Sequence, residues 1–556
     1  MANNLFDQLD EISTGSEQGR SLWAARAPYQ PQAGFDLMLV PRVKGWREDA
    51  EAIAALERIE GEPWLESIDR EGRQVQARLT DDWIEAAGGA LTSGEAPSHT
   101  DLAGGRRFAL NFWDANSTKA LHIGHLRNLA LGNALGSALT EAGGKVERRS
   151  IICDVGRSMG EAMAGVVKSG RHTQSSPGGG EKSDHFVGAC YAEYVKTGPS
   201  LDGGGEEPGD SLTRELDVHH DSADELLQSV LNGDQAAIEL WSKTRAWVIS
   251  GQRKTLARLG ISFDRVFFES DFLPEVAELS NLGLEHGMLQ RRPDGAIVYL
   301  TNHEELEEMP LLRADGLPTQ HMRALAYWMA APGLEGTTSI QICGAEWAAH
   351  VTCRRQLMDE MMAKGAGAEI NHPKHDVFHG MVSKERQSVS SSKKDALLID
   401  DLAEWLDGAI EEGEESAAVR RRHPSAEAIV PQVALGFFLM HDNTKPLDFD
   451  SEKLLRAEYN LGWDLARARA HNGKGSGTVT AEPARDPDYR FAVVQSEMYR
   501  RHLQQAVERL DVSPLAKYVA HLSRWYVEED REPHVQEAIQ AALAQGARGL
   551  GLETVR

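Results

Sequence analysis

The sequence predicts an α/β protein, with a doubly wound parallel sheet of the Rossmann type between a small N-terminal α+β domain and a C-terminal all-α domain. Three observations lead there. An apolar run from Phe108 to Phe112 reads as a buried strand, a polar loop interrupts it, and Leu126 to Leu139 carries helical period. Gly143-Gly144 ends that helix and Val146 to Ile152 supplies the next strand, so a crossover helix joins two parallel strands. From Ser425 onward nearly every stretch is helical in period, with breaks at Gly473 to Gly477 and near Pro483, Pro487, Pro514 and Pro533.

Taken in order, residues 1–30 are polar and contain Gly, Ser and Gln, which predicts a mobile tail. Residues 31–98 carry short patterns, helical at Glu51 to Ile59 and alternating at Gln74 to Leu79, as expected of a small α+β domain. The sheet domain runs over 99–395. Its Gly/Ser/Pro/acid-rich segments, Thr173 to Ser183 and Thr197 to Ser211, make 173–211 a flexible surface insertion. Helical text lies between and after them, including Asp221 to Leu231 and Ala236 to Leu259. Strand-like text at Ala296 to Leu300 and Ser339 to Cys343 is expected to complete the same sheet. Residues 396–424 read as a linker or helical stem, and 425–556 as the separate helical domain.

At 556 residues the chain has room for three or four domains of about 150 residues. An apolar share of 41% and a charged share of 26% are those of a soluble globular protein. No apolar run approaches the roughly 20 residues of a membrane helix, and Met1 to Arg20 lacks a signal-peptide layout, so a cytoplasmic protein without a membrane partner is expected. Cys153, Cys190, Cys343 and Cys353 are too few and too scattered for a disulfide frame or a zinc site, and are expected to be buried thiols. The formal charge of −26 argues against indiscriminate nucleic-acid binding but allows a local basic track. Arg420-Arg421-Arg422, Arg467 and Arg469 read first as solvated faces.

The chemistry concentrates between the first strand and helix of the sheet. There the chain reads Asn116-Ser117-Thr118-Lys119-Ala120-Leu121-His122-Ile123-Gly124-His125. A loop at a helix N-terminus offers backbone N–H groups and the positive end of the helix dipole to phosphate. His122 and His125 can donate to phosphoryl oxygens as charge builds, and Gly124 lets a planar base approach the backbone. A second loop, Ser383 to Asp395, is basic and rich in hydroxyls, suited to closing over a triphosphate.

With these pieces in order, the chain resembles a class I aminoacyl-tRNA synthetase, and among these an arginyl-tRNA synthetase. The resemblance runs from about Leu110 to Arg556. It rests on Asn116-x-x-Lys119-x-x-His122-Ile123-Gly124-His125-Leu126-Arg127, on Cys153-Asp154-x-Gly156, on Leu256 to Asp264, and on Gly344-x-x-x-x-x-His350. Ala434 to Leu439, Pro446 to Asp450, Leu515 to Tyr518 and Gly549 to Glu553 extend it through the helical domain, which in the family grips the tRNA anticodon stem and loop. The resemblance implies ATP, with its Mg2+, as co-substrate, and an amino acid and tRNA as partners. His122, His125, Lys119 and Lys393 are then the catalytic candidates, and Gly124, Asn116, Gly344, His350 and Ser390 would hold nucleotide or the α-amino acid.

Two departures carry information. Where the family has its Lys-Met-Ser-Lys-Ser loop, this chain has Ser388-Val389-Ser390-Ser391-Ser392-Lys393-Lys394. Lys119 can serve as the point charge instead, with Lys393 or Lys394 as helpers. The amino-acid pocket changes more. At the positions that in the family hold a guanidinium and the α-amino group, this chain has Asn111, Gln320, Ala324 and Trp347. Losing the carboxylate partner of a buried guanidinium costs roughly 3–5 kcal/mol, on the order of a hundredfold or more in affinity. Arginine is therefore not the expected substrate, although Asp114, Asp154 and Glu346 are candidates for a relocated anion. The implied activity is formation of an aminoacyl-adenylate and transfer to tRNA with altered amino-acid specificity, in a setting such as specialised metabolism. A tRNA-independent adenylating amide or ester ligase and a non-catalytic tRNA-binding paralogue are the alternatives.

Overall fold

The computed structural model describes residues 4–14, 21–32, 34–70, 75–95, 98–176, 180–197, 221–366, 374–384, 387–388, 397–413, 416–422, 425–471 and 482–553. Structure begins earlier than the polar composition of residues 1–30 predicts. Helix α1 (Leu5–Ile12) is capped by Asn4, whose side chain accepts from the Phe6 N–H at 3.0 Å, and it buries Leu5, Phe6 and Leu9. Strand β1 (Trp23–Arg26) follows, with the Trp23 indole buried and donating to the Ala52 carbonyl at 2.9 Å. The expected tail is thus part of the fold, because a few apolar residues at helical spacing and one buried indole outweigh the polar average. β1 joins β2 (Leu37–Pro41), β3 (Leu65–Asp69) and β4 (Val75–Leu79) in an antiparallel sheet of order β1-β2-β4-β3, with α2 (Ala50–Glu60) and α3 (Asp81–Ser93) alongside.

The central sheet positions the site. β5 (Arg107–Trp113) lies in its middle, buried from Phe108 to Trp113. Helix α4 (Ile123–Glu141) crosses over to β6 (Lys145–Ile152), and β7 (Arg265–Phe268) pairs beyond it. Between β6 and β7 the chain makes α5 (Arg157–Lys168), α6 (Ser183–Thr197) and the helices Ser222–Leu231 and Gln235–Arg258, so helix α6 stands inside the expected flexible insertion. Residues 198–211 lie outside the described residues. α4 is longer than its apolar pattern, because His122 caps it three residues earlier. It packs closely on β5 at Gly132, where a Cβ would stand 2.1 Å from the Phe112 ring.

Strand-like text at 296–300 does not join this sheet. β9 (Ile297–His303) pairs antiparallel with β8 (Leu289–Arg291) and β10 (Leu306–Leu312) in a separate three-stranded sheet of order β10-β9-β8. The link from His303 to Leu306 is too short for a crossover, so the next strand must fold straight back. β11 (Thr338–Gly344) and β12 (Lys374–His379) do return to the parallel sheet, completing the order β12-β11-β5-β6-β7. Winding reverses between β5 and β11, and ligands of open α/β sheets bind at such a switch point.

The C-terminal region holds the helices Ile399–Glu412, Ala417–Arg422, Val430–Leu439, Leu461–Ala470, Pro487–Arg509, Ser513–Glu528 and Pro533–Gly549. It is not wholly helical. β15 (Leu447–Phe449) pairs parallel with β13 (Val382–Lys384), which also pairs with β14 (Gln387–Ser388). Pro487, Pro514 and Pro533 sit in first turns and so begin helices, where a missing N–H costs nothing. The break at 473–477 lies outside the described residues. The fold is mixed α/β, with an N-terminal sheet, a central parallel sheet and a C-terminal helical region. No helix among the described residues is long and apolar enough to cross a membrane. All four cysteines are free, Cys343 and Cys353 buried and Cys153 and Cys190 half-buried.

Candidate active site

The loop after β5 is zipped to the end of β6. The Ser117 N–H donates to the Cys153 carbonyl at 2.9 Å, and the Cys153 N–H donates to Ala115 at 3.1 Å. From this anchorage the chain enters α4 through the two histidines. The Gly124 N–H donates to Nδ1 of His122, and the His122 N–H donates to Nδ1 of His125, each at 3.1 Å. The two rings lie 3.9 Å apart between centroids. A neutral imidazole that accepts at Nδ1 carries its proton at Nε2, so each ring keeps one N–H donor beyond the backbone. Both rings are half-buried, and their deep placement holds both below the usual histidine range, His125 to about 3. Gly124 has a local reason as well, since a Cβ there would stand 2.9 Å from the His122 ring.

Two further elements hold this loop. Gln252, buried on the helix Gln235–Arg258, donates through Nε2 to the carbonyls of Asn116 at 3.0 Å and Lys119 at 2.8 Å. Burial lowers the Lys119 ammonium to about 8, and its Nζ lies 6.0 Å from the Tyr191 ring centroid on α6. Leu397 to Ile399 run antiparallel to Leu121 to Ile123: the Ile123 N–H donates to Leu397 at 3.1 Å and the Ile399 N–H to Leu121 at 3.0 Å. The residues just beyond the second loop are therefore fixed beside the histidines. Ser390, Lys393 and Lys394 lie outside the described residues. Asp400, next in the chain, accepts from Lys182 at 2.6 Å and Thr255 at 3.0 Å and lies 2.8 Å from the His185 ring nitrogen.

Arg127, one turn into α4, is fully buried. It donates to the carbonyls of Gly380 at 2.7 Å, Asp442 at 2.8 Å, Lys445 at 3.0 Å and Asn443 at 3.2 Å. No carboxylate takes its charge in these bonds, and burial lowers it to about 10. It joins the histidine helix to the segment that leads into β15.

The other expected pocket residues lie on three elements. Asn111 on β5 is fully buried and pairs across the strands with Gln341 on β11. Its Oδ1 accepts from the Tyr327 hydroxyl at 2.6 Å, while its Nδ2 is buried with no partner among the described residues. Asp114, just past β5, is exposed to solvent. The surrounding protein raises its carboxyl to about 6, against the Arg354 charge and a hydrogen bond from Gln341. Gln320 and Ala324 lie half-buried one turn apart on the helix Gln320–Ala330. After Gly344 at the end of β11, Trp347 and His350 turn into the helix Ala348–Ala363. The rings of His321 and His350 stack at 4.6 Å, with Trp347 5.7 Å from His350.

Of the three candidate anions, Asp154 is engaged elsewhere. It is fully buried and accepts from the Ser270 N–H at 2.9 Å, the Ser270 hydroxyl at 2.7 Å and Arg245 at 2.7 Å. Glu346 is exposed, and its carboxylate lies over Gly344. Gln252, Tyr327, Gln341, Arg354 and Arg127 were not singled out from the sequence. Arg127 stood inside the matched motif; the others sit in ordinary helix or strand patterns with no local signal.

No family model matches the chain. It is 27% identical over 379 residues to the arginine–tRNA ligase of Treponema pallidum subsp. pallidum, covering 67% of this chain and 61% of that protein. It is 25% identical over 450 residues to the arginine–tRNA ligase of Methanopyrus kandleri, covering 78% of this chain and 72% of that protein. The match thus spans about three-fifths of the first relative's length. In fold it is similar to Thermus thermophilus arginyl-tRNA synthetase, with a TM-score of 0.68, 20% identity and 99% of each chain covered. Sequence over two thirds of the chain and fold over nearly all of it give one conclusion: the chain resembles class I arginyl-tRNA synthetases.

Proposed function

We propose that this chain activates an amino acid other than arginine with Mg2+-bound ATP and transfers it to tRNA. A carboxylate oxygen of the amino acid attacks the α-phosphorus, the bond to the β-phosphate breaks, and pyrophosphate leaves. A terminal ribose hydroxyl of tRNA then takes the acyl group and AMP departs. The observation that carries this reading is the pair of histidines at the N-terminus of α4, each using Nδ1 to accept from backbone and so keeping an Nε2 proton to donate. Neutral donors at a helix N-terminus, beside a lysine and at the switch point of a parallel sheet, suit the growing charge between two phosphates.

In this reading His122 and His125 hold the phosphates, Lys119 offsets the charge on the reacting phosphorus, and Lys393 assists from the second loop. Asn116, Gly124, Gly344, His350 and Ser390 receive nucleotide or the α-amino acid, Asn111, Gln320, Ala324 and Trp347 bound the side chain, and Asp114, at the solvent side, meets the α-ammonium. Asp154 supports the site through Ser270 and Arg245. The test is pyrophosphate exchange into ATP over a broad amino-acid panel with total tRNA present. Exchange with a non-arginine amino acid is expected, and exchange with none, or with arginine best, overturns the reading. Exchange indifferent to ribonuclease moves it to a tRNA-independent ligase.

A further inference from the structure

Next to the strand pair that carries Asn111, a buried arginine fixes its neighbours. Arg354, on the helix Ala348–Ala363, is buried, and its Nη2 donates to Oε1 of Gln341 at 2.9 Å. That bond orients the amide, because a guanidinium has only donors and must meet the oxygen. The Gln341 nitrogen is then turned toward Asp114, whose carboxylate it meets. Gln341 pairs with Asn111 across β11 and β5, so both side chains leave the sheet on the same face. On that face Nε of Arg354 and Nδ2 of Asn111 are buried with no acceptor among the described residues. The Asn111 oxygen already accepts from Tyr327.

The unmatched groups of Arg354 and Asn111 are thus donors, and the charge beside them is positive; Nδ1 of His350, also buried without a partner among the described residues, accepts or donates according to its tautomer. The surrounding groups do not reverse this. His321 and His350 face Arg354, which with burial holds both below the usual histidine range. Asp376, another neighbour of Arg354, accepts from Arg355 at 2.7 Å. Cys343 is kept a thiol by burial. Ala324 brings no polar side-chain atom, and Asp114 stands at the solvent side, where an α-ammonium can meet it. A buried donor without an acceptor costs about 1–3 kcal/mol, so a ligand that supplies acceptors is favoured over one that does not. Arginine's side chain carries five donors and no acceptor, and its charge repeats that of Arg354.

We propose that Arg354, with Asn111, selects an amino acid whose side chain ends in a hydrogen-bond acceptor and carries no positive charge, a carboxylate or a carboxamide-type carbonyl. The inference rests on the activation reading for its biological meaning, but amino-acid binding tests it separately.

Calorimetric titration of the full chain, with and without a non-hydrolysable ATP analogue, is run with aspartate, glutamate, asparagine, glutamine, citrulline, arginine, lysine and leucine. An acceptor-bearing member is expected to bind at least tenfold tighter than arginine, lysine or leucine. Citrulline against arginine isolates one change, a carbonyl for a guanidinium nitrogen at equal length. The acidic and amide arms decide which acceptor the pocket takes. Arg354→Gln is expected to lose at least tenfold in affinity for the preferred ligand, and Arg354→Lys to keep more of it when that ligand is acidic. ATP-analogue affinity is expected to stay unchanged in both. Tightest binding of arginine, lysine or leucine overturns the inference, as does absence of binding by all eight. So does unchanged selectivity in a folded Arg354→Gln. The wild-type ranking stands if that variant does not fold. Amino-acid binding without ATP-analogue binding sinks the activation reading while leaving this inference standing.

Discussion

His122 performs two tasks that substitution can separate. Its Nδ1 caps α4 and its Nε2 is a free donor in the proposed site. Asparagine is a strong N-cap but cannot place a donor where Nε2 lies. His122→Asn is therefore expected to keep thermal stability while exchange falls about a hundredfold, the usual effect of removing one transition-state donor. His122→Ala should also lose about 1 kcal/mol of stability in urea titration. Equal activity in the asparagine variant would remove the histidine from the proposed chemistry. Lys119 and Asp114 set a second expectation. With Lys119 at about 8 and Asp114 at about 6, kcat/KM for exchange should rise with pH through about 6, as Asp114 ionises to meet the ammonium. It should fall through about 8, as Lys119 loses its proton. Lys119→Arg should shift the alkaline limb out of range, and an unmoved limb would assign it to another group. The motif residues at this scale were legible because their chemistry is local. Gln252 and Arg354 were not, because an amide or a guanidinium inside a helical pattern carries no local sign of what it will meet.

Among elements, the register between Leu121–Ile123 and Leu397–Ile399 has the largest consequence, since it sets the chain just past the second loop against the start of α4. Asp400 holds that segment to Lys182, just before α6, to His185 on α6 and to Thr255 on the long helix. His185 is raised by its bond to Asp400, so its contribution is complete below about 6.5 and lost as pH rises through the raised value. Asp400 is held down to about 2, so its contribution is complete above about 4 and lost as pH falls through 2. The clasp is accordingly strongest between about pH 4 and 6.5. Asp400→Asn should speed amide exchange at residues 397–402 and cost about 1–3 kcal/mol in that window, with a smaller cost at pH 8. A cost that grows from pH 6 to 8 would contradict the role given to His185. Helix and strand periods showed most of these elements, yet β9 read as part of the parallel sheet. Its periodicity is the same in either sheet, and the short return to β10 excludes a crossover.

Across the whole molecule, a buried arginine helps fasten the N-terminal sheet region to the C-terminal helical region. Arg490 is buried on the helix Pro487–Arg509 and donates to Asp36 at 2.6 and 2.8 Å and to Asp81 at 2.7 Å. It also donates to the carbonyls of Ala484 and Leu79. Removing one side of such a buried pair costs roughly 3–5 kcal/mol, because Asp36 is left uncompensated. Arg490→Met should lower the urea midpoint accordingly, and Arg490→Met with Asp36→Leu should recover part of the loss. Strict additivity of the two changes would show that they do not interact. The same fastening shows why residues 1–30 were misread. Asn4 donates to Glu497 on that helix at 2.8 Å, and a segment whose order comes from a partner nearly 500 residues away has no local pattern to announce it.

By itself the sequence determined the strand, loop and helix around the two histidines, the crossover sheet and the predominantly helical end. These depend on local period, on capping residues and on side-chain chemistry, which are written in consecutive residues. Only the tertiary structure decided that the histidines keep their Nε2 protons, that Asp154 is engaged by Ser270 and Arg245, and that Arg354 is buried against Gln341. Each of those depends on which distant donor or acceptor reaches a buried polar group first, and pairing across a fold is set by packing rather than by sequence neighbours.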